Sequence, residues 1–172
     1  MSIRYVTLSC PSCGAPVDDK QEKCLSCGTR LLLEIDNTGT SVLQIKSLIE
    51  VSRYSEAVNK CTEFLSRGIK SADIYYYMCI ALLEGKKPYV QSRDRIDECI
   101  DALDRALKIS DKGVIYLLRA YIEYDYFERK FLNRNPNYKY FLANAKSKNI
   151  SDTECKQLEN LVKNRISIGG SS

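Results

Sequence analysis

The chain has 172 residues, a formal net charge of +4 at pH 7 and no histidine. Its apolar and charged fractions are those of a globular protein, which argues against long disordered stretches. The lack of histidine excludes Ser-His-Asp and Cys-His nucleophilic sites built from this chain, and histidine-ligated metal centres with them.

No targeting or membrane segment is evident in the sequence. The opening MSIRYVTLS lacks the apolar core of a secretory signal, and no stretch reaches the roughly 20 apolar residues that span a bilayer. Four of the eight cysteines form C-x-x-C pairs and four are scattered through helical patterns, which favours a reducing compartment over a disulfide framework. We therefore expect a cytoplasmic protein without membrane insertion.

Two C-x-x-C-G motifs stand near the N-terminus. Cys10 and Cys13 are followed, after a ten-residue spacer, by Cys24 and Cys27. Two residues between cysteines let a tight turn direct both sulfurs at one ion, and four thiolates satisfy the tetrahedral preference of zinc. A glycine after each pair suits such a turn, because it tolerates backbone conformations that strain other residues. A redox dithiol is the alternative for either pair, although two matched pairs favour a metal.

This segment resembles the short zinc-ribbon family, in which CPxCG and CxxCG knuckles close a small β-hairpin, over residues 7–33. The resemblance implies one zinc ion held by all four cysteines, with no open position for water or substrate and hence a structural role. The metal would supply most of the folding energy of so small a unit. The spacer holds three acidic and two basic residues and no aromatic, which argues against nucleic-acid binding by the ribbon.

We divide the chain into four parts on the basis of composition and periodicity. These are a zinc ribbon at residues 1–35, a linker at 36–40, a helical-repeat domain at 41–168 and a flexible tail at 169–172. The linker is assigned because turn-forming Asp, Asn, Thr and Gly are concentrated there. The fold class is accordingly mostly α, with about six to seven helices after a small N-terminal β-hairpin.

Four helices are predicted in the first part of the body, where apolar residues recur at helical spacing. A turn at 51–55 separates the first two, and Gly68 ends the second. The third ends near Gly85. The segment GKKPYVQS, whose Pro88 interrupts helical hydrogen bonding, is predicted as a loop before the fourth helix.

Three more helices are predicted in the last third of the sequence. Residues 113–127 and 137–147 each have a helical pattern, with Asn135-Pro136 between them. The sequence Ser151-x-x-Glu154 is a capping box that opens the last helix, which we expect to end near residue 164.

Two of the predicted helices are similar in sequence. RYSEAVNKCTEFLSRG and RIDECIDALDRALKIS align with Ala57 opposite Cys99 and Phe64 opposite Ala106. This pattern resembles the tetratricopeptide (TPR) repeat family over residues 41–127, although the chain has no tryptophan and lacks the prolines that usually close such repeats. The resemblance implies stacked helix hairpins whose concave surface binds peptides or partner proteins.

Tyrosine is frequent, with twelve in the chain and three consecutive at residues 75–77. Consecutive side chains on a helix point in different directions, so at least one of these three must leave the buried face. Packing in the core is the alternative for any single tyrosine. Because tyrosine and arginine are favoured where proteins bind one another, we select some as candidates for partner contact. The candidate partner-binding residues are Tyr76, Tyr77, Tyr116 and Arg119.

Two classes of function follow from these features. The first is a non-enzymatic adaptor or scaffold that binds a partner protein or peptide through the helical repeats, with the ribbon as a second contact or a cap. The second is a nucleic-acid-binding accessory protein, because residues 128–165 hold nine basic and four acidic residues interleaved with aromatics. Its candidate residues are Lys130, Arg134, Tyr138, Lys139 and Tyr140. An enzyme with a small-molecule substrate is not expected, since the sequence has neither a Gly-rich phosphate loop nor an open metal site.

Overall fold

The computed structural model describes residues 8–10, 12–17, 23–29 and 38–169. The chain divides into two compact units, one comprising residues 1–37 and the other starting at Thr38. Within the described residues the fold is mostly α, as predicted, with a short hairpin in the N-terminal unit. No helix in these ranges combines the length and the apolar character that a bilayer crossing requires.

Among its described residues, the N-terminal unit contains two strands of two residues each. β1 (Leu8–Ser9) pairs antiparallel with β2 (Pro16–Val17), so that Leu8 lies opposite Val17 and Ser9 opposite Pro16. An isolated two-stranded hairpin is marginal in water even when it is longer than this one. The ribbon therefore needs a source of stability other than its sheet.

The second unit contains seven α-helices among the described residues. They are α1 (Thr38–Glu50), α2 (Tyr54–Ser66), α3 (Ala72–Leu83), α4 (Arg93–Ile109), α5 (Gly113–Ile122), α6 (Tyr138–Ser147) and α7 (Asp152–Val162). The predicted loop before α4 contains a 3₁₀ turn at Pro88–Val90. Beyond α5 the chain continues as a π-helical segment, Glu123–Phe127, and then a 3₁₀ turn, Glu128–Lys130.

The element bounds differ from the prediction in several places, and α2 begins at Tyr54, inside the turn predicted at 51–55. α1 begins at Thr38, so the last three residues of the predicted linker are helical. The first turn of a helix tolerates Thr and Gly because its N–H groups have no intrahelical partner in any case. The helix predicted over 113–127 turns π-helical at Glu123. α7 ends at Val162 rather than near 164, because Lys163 adopts a left-handed conformation with φ of 54°.

Parts of the predicted domain scheme lie outside the described residues. These are residues 36 and 37 of the linker, residues 170–172 of the tail, and residues 1–7, 11, 18–22 and 30–35 of the ribbon.

Consecutive helices of the second unit pack against one another from α1 to α6, and α1 also contacts α3. α7 contacts both α3 and α5. α3 therefore has neighbours on several sides, which explains why most of its residues are buried, including Ile74, Cys79 and Leu83 at 0 % exposure. A helix that is apolar on nearly every face is stable only at such a central position.

Side-chain caps fix the starts of several helices. The Ser71 hydroxyl accepts the N–H of Asp73 before α3, and the Asn137 side chain accepts the N–H of Lys139 before α6. Ser151 and Glu154 form the predicted capping box, since each side chain accepts a hydrogen bond from the other residue's backbone N–H. Caps of this kind satisfy donors that the helix itself leaves free.

Candidate metal centre and binding surfaces

The sulfurs of the four ribbon cysteines form one cluster. All four Sγ atoms lie within 4.8 Å of one another, and the Cys10–Cys27 and Cys13–Cys24 sulfur pairs are each 3.6 Å apart. A disulfide would bring two sulfurs to about 2.05 Å. Zn–S bonds of about 2.3 Å in a tetrahedron place sulfurs about 3.8 Å apart. The thiols are therefore unpaired and arranged as a zinc site requires.

The two knuckles have the same backbone geometry. In each, the glycine N–H donates to the carbonyl of the first cysteine at 2.8 Å, and that cysteine's N–H donates to a carbonyl five residues later at 2.8 or 2.9 Å. Gly14 and Gly28 have φ of 71° and 72°. A side chain is strained in this left-handed region, so glycine follows each cysteine pair for a conformational reason.

Hydrogen bonds favour the thiolate form at the second knuckle. The Thr29 hydroxyl lies 3.0 Å from Cys27 Sγ, and this contact is the main cause that lowers the pKa of Cys27 to about 6. The pKa of Cys24 is also lowered, chiefly by the backbone N–H groups of Cys27 and Ser26. Metal ligands must be deprotonated, so these contacts prepare two of the four sulfurs for coordination.

Crowding of the sulfurs opposes a fully ionised cluster. The backbone N–H of Ala15 favours the thiolate of Cys13, but the neighbouring sulfurs, led by that of Cys27, raise the pKa of Cys13 to about 12. Four thiolates this close together need a cation among them. With all four positions filled by the chain, a tetrahedral ion has no site left for substrate, which defines a structural centre.

The comparison with known families agrees with this geometry. The family model for a zinc-ribbon domain matches residues 6–31. These residues are a zinc ribbon. Its four cysteines fit one structural Zn²⁺, and the predicted cofactor is thereby confirmed. No curated protein and no solved structure gives a significant match to the chain.

Two of the four predicted partner-binding residues are buried, which corrects their assignment as surface contacts. Tyr76 is 6 % exposed and Arg119 is 3 % exposed. Tyr76 lies on α3, where several helices meet, and its ring packs edge-on against Tyr77 with centroids 5.1 Å apart. Tyr77 and Tyr116 are half-buried and keep part of their surface accessible.

Arg119 belongs to an internal network of charges. Its Nη1 lies 2.8 Å from Glu123 Oε1, and its Nε lies 3.4 Å from Asp104 Oδ1. Glu123 is 1 % exposed and also lies 3.4 Å from Arg134 Nε. Burial raises the pKa of Glu123 and lowers that of Arg119. The i, i+4 spacing of Arg119 and Glu123 within an apolar run was the sequence signal for this pair, and it was missed.

All five residues of the nucleic-acid prediction have partners within the chain. Arg134 lies over the ring of Phe127, 4.7 Å from its centroid, in addition to its contact with Glu123. The Lys130 ammonium lies 3.7 Å from the Tyr126 ring centroid. Tyr138 packs edge-on against Tyr124 at 5.1 Å. Lys139 Nζ lies 5.9 Å from the Tyr138 ring centroid, and Tyr140 packs edge-on against Phe141 at 5.2 Å. Both residues are nevertheless exposed at the start of α6.

A surface that the sequence did not indicate lies beside the π-helical segment. We call it the loop patch and define it by four exposed apolar side chains, which are Tyr89, Val90, Phe131 and Leu132. Two cations join its two segments, because Arg129 Cζ and Lys130 Nζ lie 4.8 and 5.0 Å from the Tyr89 ring centroid. The Tyr89 N–H donates to Asp125 at 2.8 Å, which fixes the loop against the helical unit.

Proposed function

We propose that the protein is a non-enzymatic adaptor that binds a partner protein through its helical unit, with the zinc ribbon as a second contact. The observation that carries the proposal is Phe131 in the loop patch. Its side chain is 93 % exposed, on a surface where apolar groups are mixed with arginine and lysine. Clusters of exposed apolar residues, and aromatic and arginine side chains in particular, are typical of protein interfaces.

The backbone at Phe131 strengthens this argument. Its φ of 57° is left-handed, its N–H donates to the Glu128 carbonyl, and the Leu132 N–H donates to the Phe127 carbonyl. This is the Schellman hydrogen-bond pattern, in which glycine normally occupies the left-handed position. Phenylalanine is strained there and gains nothing from burial. A role in contact with another molecule accounts for a side chain that the fold itself does not need.

The helical arrangement supports a TPR-like repeat architecture for this adaptor. The two aligned helices are α2 and α4, and each packs on its neighbours in the chain. The aligned positions Ala57, Cys99 and Ala106 are completely buried, and Phe64 nearly so. Small side chains at equivalent positions allow close approach of helices in successive hairpins. The remaining cysteines are buried or partly buried thiols, which supports a reducing, cytoplasmic setting.

A pull-down from native-host extract tests the adaptor function. The zinc-loaded full chain is tagged, incubated with and without nuclease, and the retained proteins are quantified by mass spectrometry. We expect a stoichiometric protein partner that survives nuclease and is lost with Phe131→Gly. Asn149→Gly is the matched control, because Asn149 is also left-handed, with φ of 50°, but lies outside the loop patch. A partner retained equally by both variants would place the contact elsewhere.

The second candidate is a nucleic-acid-binding accessory protein, favoured by the adjacent exposed pair Lys139 and Tyr140. A lysine beside an accessible aromatic ring suits a single strand, where charge pairs with phosphate and the ring stacks on a base. Protein partners lost on nuclease digestion, together with binding that weakens steeply as salt rises, would favour this candidate over the adaptor.

A further inference from the structure

A cavity of about 770 Å³ lies beside the loop patch and is lined by α5, the π-helical segment, α6 and the residues after α7. Its volume falls within the range of about 300–1,000 Å³ that is usual for ligand pockets. Apolar walls come from Leu117, Leu142, Ile166 and Ile168. None of the residues chosen from the sequence as binding candidates lines it.

The charges around the cavity are strongly unequal. Among the described residues, four cations line it, namely Lys87, Arg129, Lys146 and Arg165, against the single carboxylate of Asp125. That carboxylate is already engaged, since it lies 2.6 Å from Arg129 Nη1 and accepts the Tyr89 N–H at 2.8 Å. The other three cations make no ion pair with any carboxylate in the described ranges. A concave surface lined by one sign of charge concentrates ligands of the opposite sign.

Tyr121 also lines the cavity, and its hydroxyl is buried without a partner among the described residues. Tyr121 is 2 % exposed, and its hydroxyl makes no hydrogen bond to any residue that the structure describes. Burial and the nearby charge of Asp125 raise the pKa of Tyr121, so the group remains a donor at neutral pH. A buried hydroxyl normally has a hydrogen-bond partner. Because the hydroxyl is closed to solvent, a ligand with an acceptor oxygen would supply the missing partner through a small movement of the cavity wall.

The segment after α7 is held in place as a wall of the cavity. The Asn164 side chain donates to the Gly85 carbonyl at 3.1 Å, and the Ile166 N–H donates to Glu159 Oε1 at 2.9 Å. Arg165, between these anchors, is exposed and lines the cavity. Its guanidinium is therefore carried by a fixed backbone, which lowers the entropy cost of pairing it with a ligand.

We propose that this cavity binds an acidic segment of the partner protein, with aspartate or glutamate side chains paired to Lys87, Lys146 and Arg165 and an acceptor oxygen bonded to the Tyr121 hydroxyl. The inference rests on the proposed adaptor function. The aliphatic walls suit the apolar side chains that separate acidic residues in a peptide. A single nucleic-acid strand prefers an open basic groove with stacking aromatics. The two tyrosines that line the cavity do not offer a free ring face of that kind, because Tyr121 is buried and Tyr124 packs edge-on against Tyr138. Arg129 lines the cavity and lies over the Tyr89 ring of the loop patch, so one partner segment can reach both surfaces.

Peptide binding to the zinc-loaded full chain tests the proposal. The probe is a short rhodamine-labelled peptide of alternating glutamate and leucine, followed by fluorescence anisotropy. The control peptide carries glutamine in place of glutamate. We expect the acidic peptide to bind with an affinity that falls as salt rises, and the glutamine peptide to bind at least about tenfold more weakly. Equal binding of the two peptides would overturn the proposal.

A pair of charge-reversal variants locates the site. Lys146→Glu with Arg165→Glu is expected to weaken acidic-peptide binding by about tenfold or more. Lys70→Glu with Lys108→Glu is the matched control, with the same change in net charge away from the cavity. Lys146 and Lys108 both lie in the last turn of a helix, so their helix-dipole effects are matched. An equal loss in both double variants would show that the binding is only a response to net charge.

The Tyr121→Phe variant tests whether the Tyr121 hydroxyl contributes to ligand binding or only to the stability of the fold. We expect the variant to keep or raise its melting temperature but to bind the acidic peptide about tenfold more weakly, because the ligand loses a buried donor. Unchanged binding would contradict the assignment of Tyr121. A single-stranded oligo-dT probe is run in parallel, and tighter binding of oligo-dT than of peptide, lost with Lys146→Glu and Arg165→Glu, would overturn the peptide assignment.

The pull-down distinguishes failure of this inference from failure of the adaptor function. A protein partner retained by the Lys146→Glu, Arg165→Glu variant would leave the adaptor function standing and refute the acidic-segment site. Acidic-peptide binding at the cavity without any nuclease-resistant protein partner in the extract would refute the adaptor function instead.

Discussion

Arg119 Nη1 lies 2.8 Å from Glu123 Oε1, one helical turn along the chain, and both side chains are almost completely buried. An ion pair taken out of water gains little net stability, but each charge depends on the other once both are buried. The pair lies where α5 passes into the π-helical segment, and such segments often coincide with functional or strained sites. The pair also connects α5 to other elements, because Arg119 contacts Asp104 on α4 and Glu123 contacts Arg134.

We predict that Glu123→Gln lowers the free energy of unfolding by about 3 kcal/mol, because it leaves the Arg119 charge buried with only Asp104 beside it. Urea denaturation followed by circular dichroism measures the change. Glu128→Gln is the control on an exposed residue of the same region, and there we expect less than about 0.5 kcal/mol. Recovery of stability in the double variant Arg119→Met, Glu123→Leu would show that the cost arises from the unpaired charge and not from lost packing.

The Arg119 network also shows how far the sequence could predict the structure. Helices were predicted well because their apolar periodicity and their caps, such as the Ser151 box, are local features. The assignment of Arg119 and Tyr76 as surface residues was wrong, because it depended on which faces of α3 and α5 are covered by other helices. α3 and α5 are apolar on most sides, so periodicity does not show which side faces solvent. The residues that cover Arg119 lie on other elements.

The metal centre was predictable because it does not depend on which helix faces are covered. Its ligands, its turns and its glycines all lie within one short stretch of sequence, and the chemistry of zinc restricts the alternatives. The loop patch and the basic cavity were not predictable. Lys87, Lys146 and Arg165 are far apart in the sequence, and only the packing of α5, α6 and the segment after α7 brings them to one cavity.

Phe131→Gly should stabilise the helical unit. Glycine adopts the left-handed conformation without strain, and the gain exceeds its larger backbone entropy in the unfolded chain, so we expect about 0.5–1 kcal/mol. Thermal unfolding of the full chain measures the effect. The same variant should lose the partner in the pull-down, so stability and binding are expected to change in opposite directions. Destabilisation would show that Phe131 packs favourably in the folded chain.

The Ser151–Glu154 capping box should depend on pH. The Ser151 backbone N–H and hydroxyl hold the pKa of Glu154 below its ordinary value of 4.5. Because the folded pKa is the lower one, this contribution to stability is present above pH 4.5 and is lost as the pH falls through the folded pKa. Carboxyl chemical shifts in an NMR titration measure that pKa. Ser151→Ala retains the backbone N–H and removes the hydroxyl, so it should return the pKa only part of the way toward 4.5. An unshifted pKa in the wild type would contradict the box.

Chelation should unfold the zinc ribbon and leave the helical unit intact. The described strands have two residues each, so the metal must supply most of the ribbon's folding energy. After EDTA treatment, NMR signals of the ribbon residues are expected to collapse to unfolded positions while helical circular dichroism persists. Cys24→Ser should give the same result without chelator. Loss of most helical signal in either experiment would contradict the division into two units.

Thr29→Val should weaken zinc binding without altering the four ligands. The Thr29 hydroxyl lies 3.0 Å from Cys27 Sγ and is the main cause of the lowered pKa of that thiol. Groups that hydrogen-bond to a metal ligand typically contribute about 10–100-fold to affinity, so we expect a loss of about tenfold in competition with a chromophoric chelator. Ser26→Ala is the matched control, because Ser26 supports Cys24 through its backbone N–H, which the substitution retains. If both variants bound zinc as tightly as the wild type, the hydroxyl would have no part in coordination, and the backbone of the knuckles alone would set the affinity.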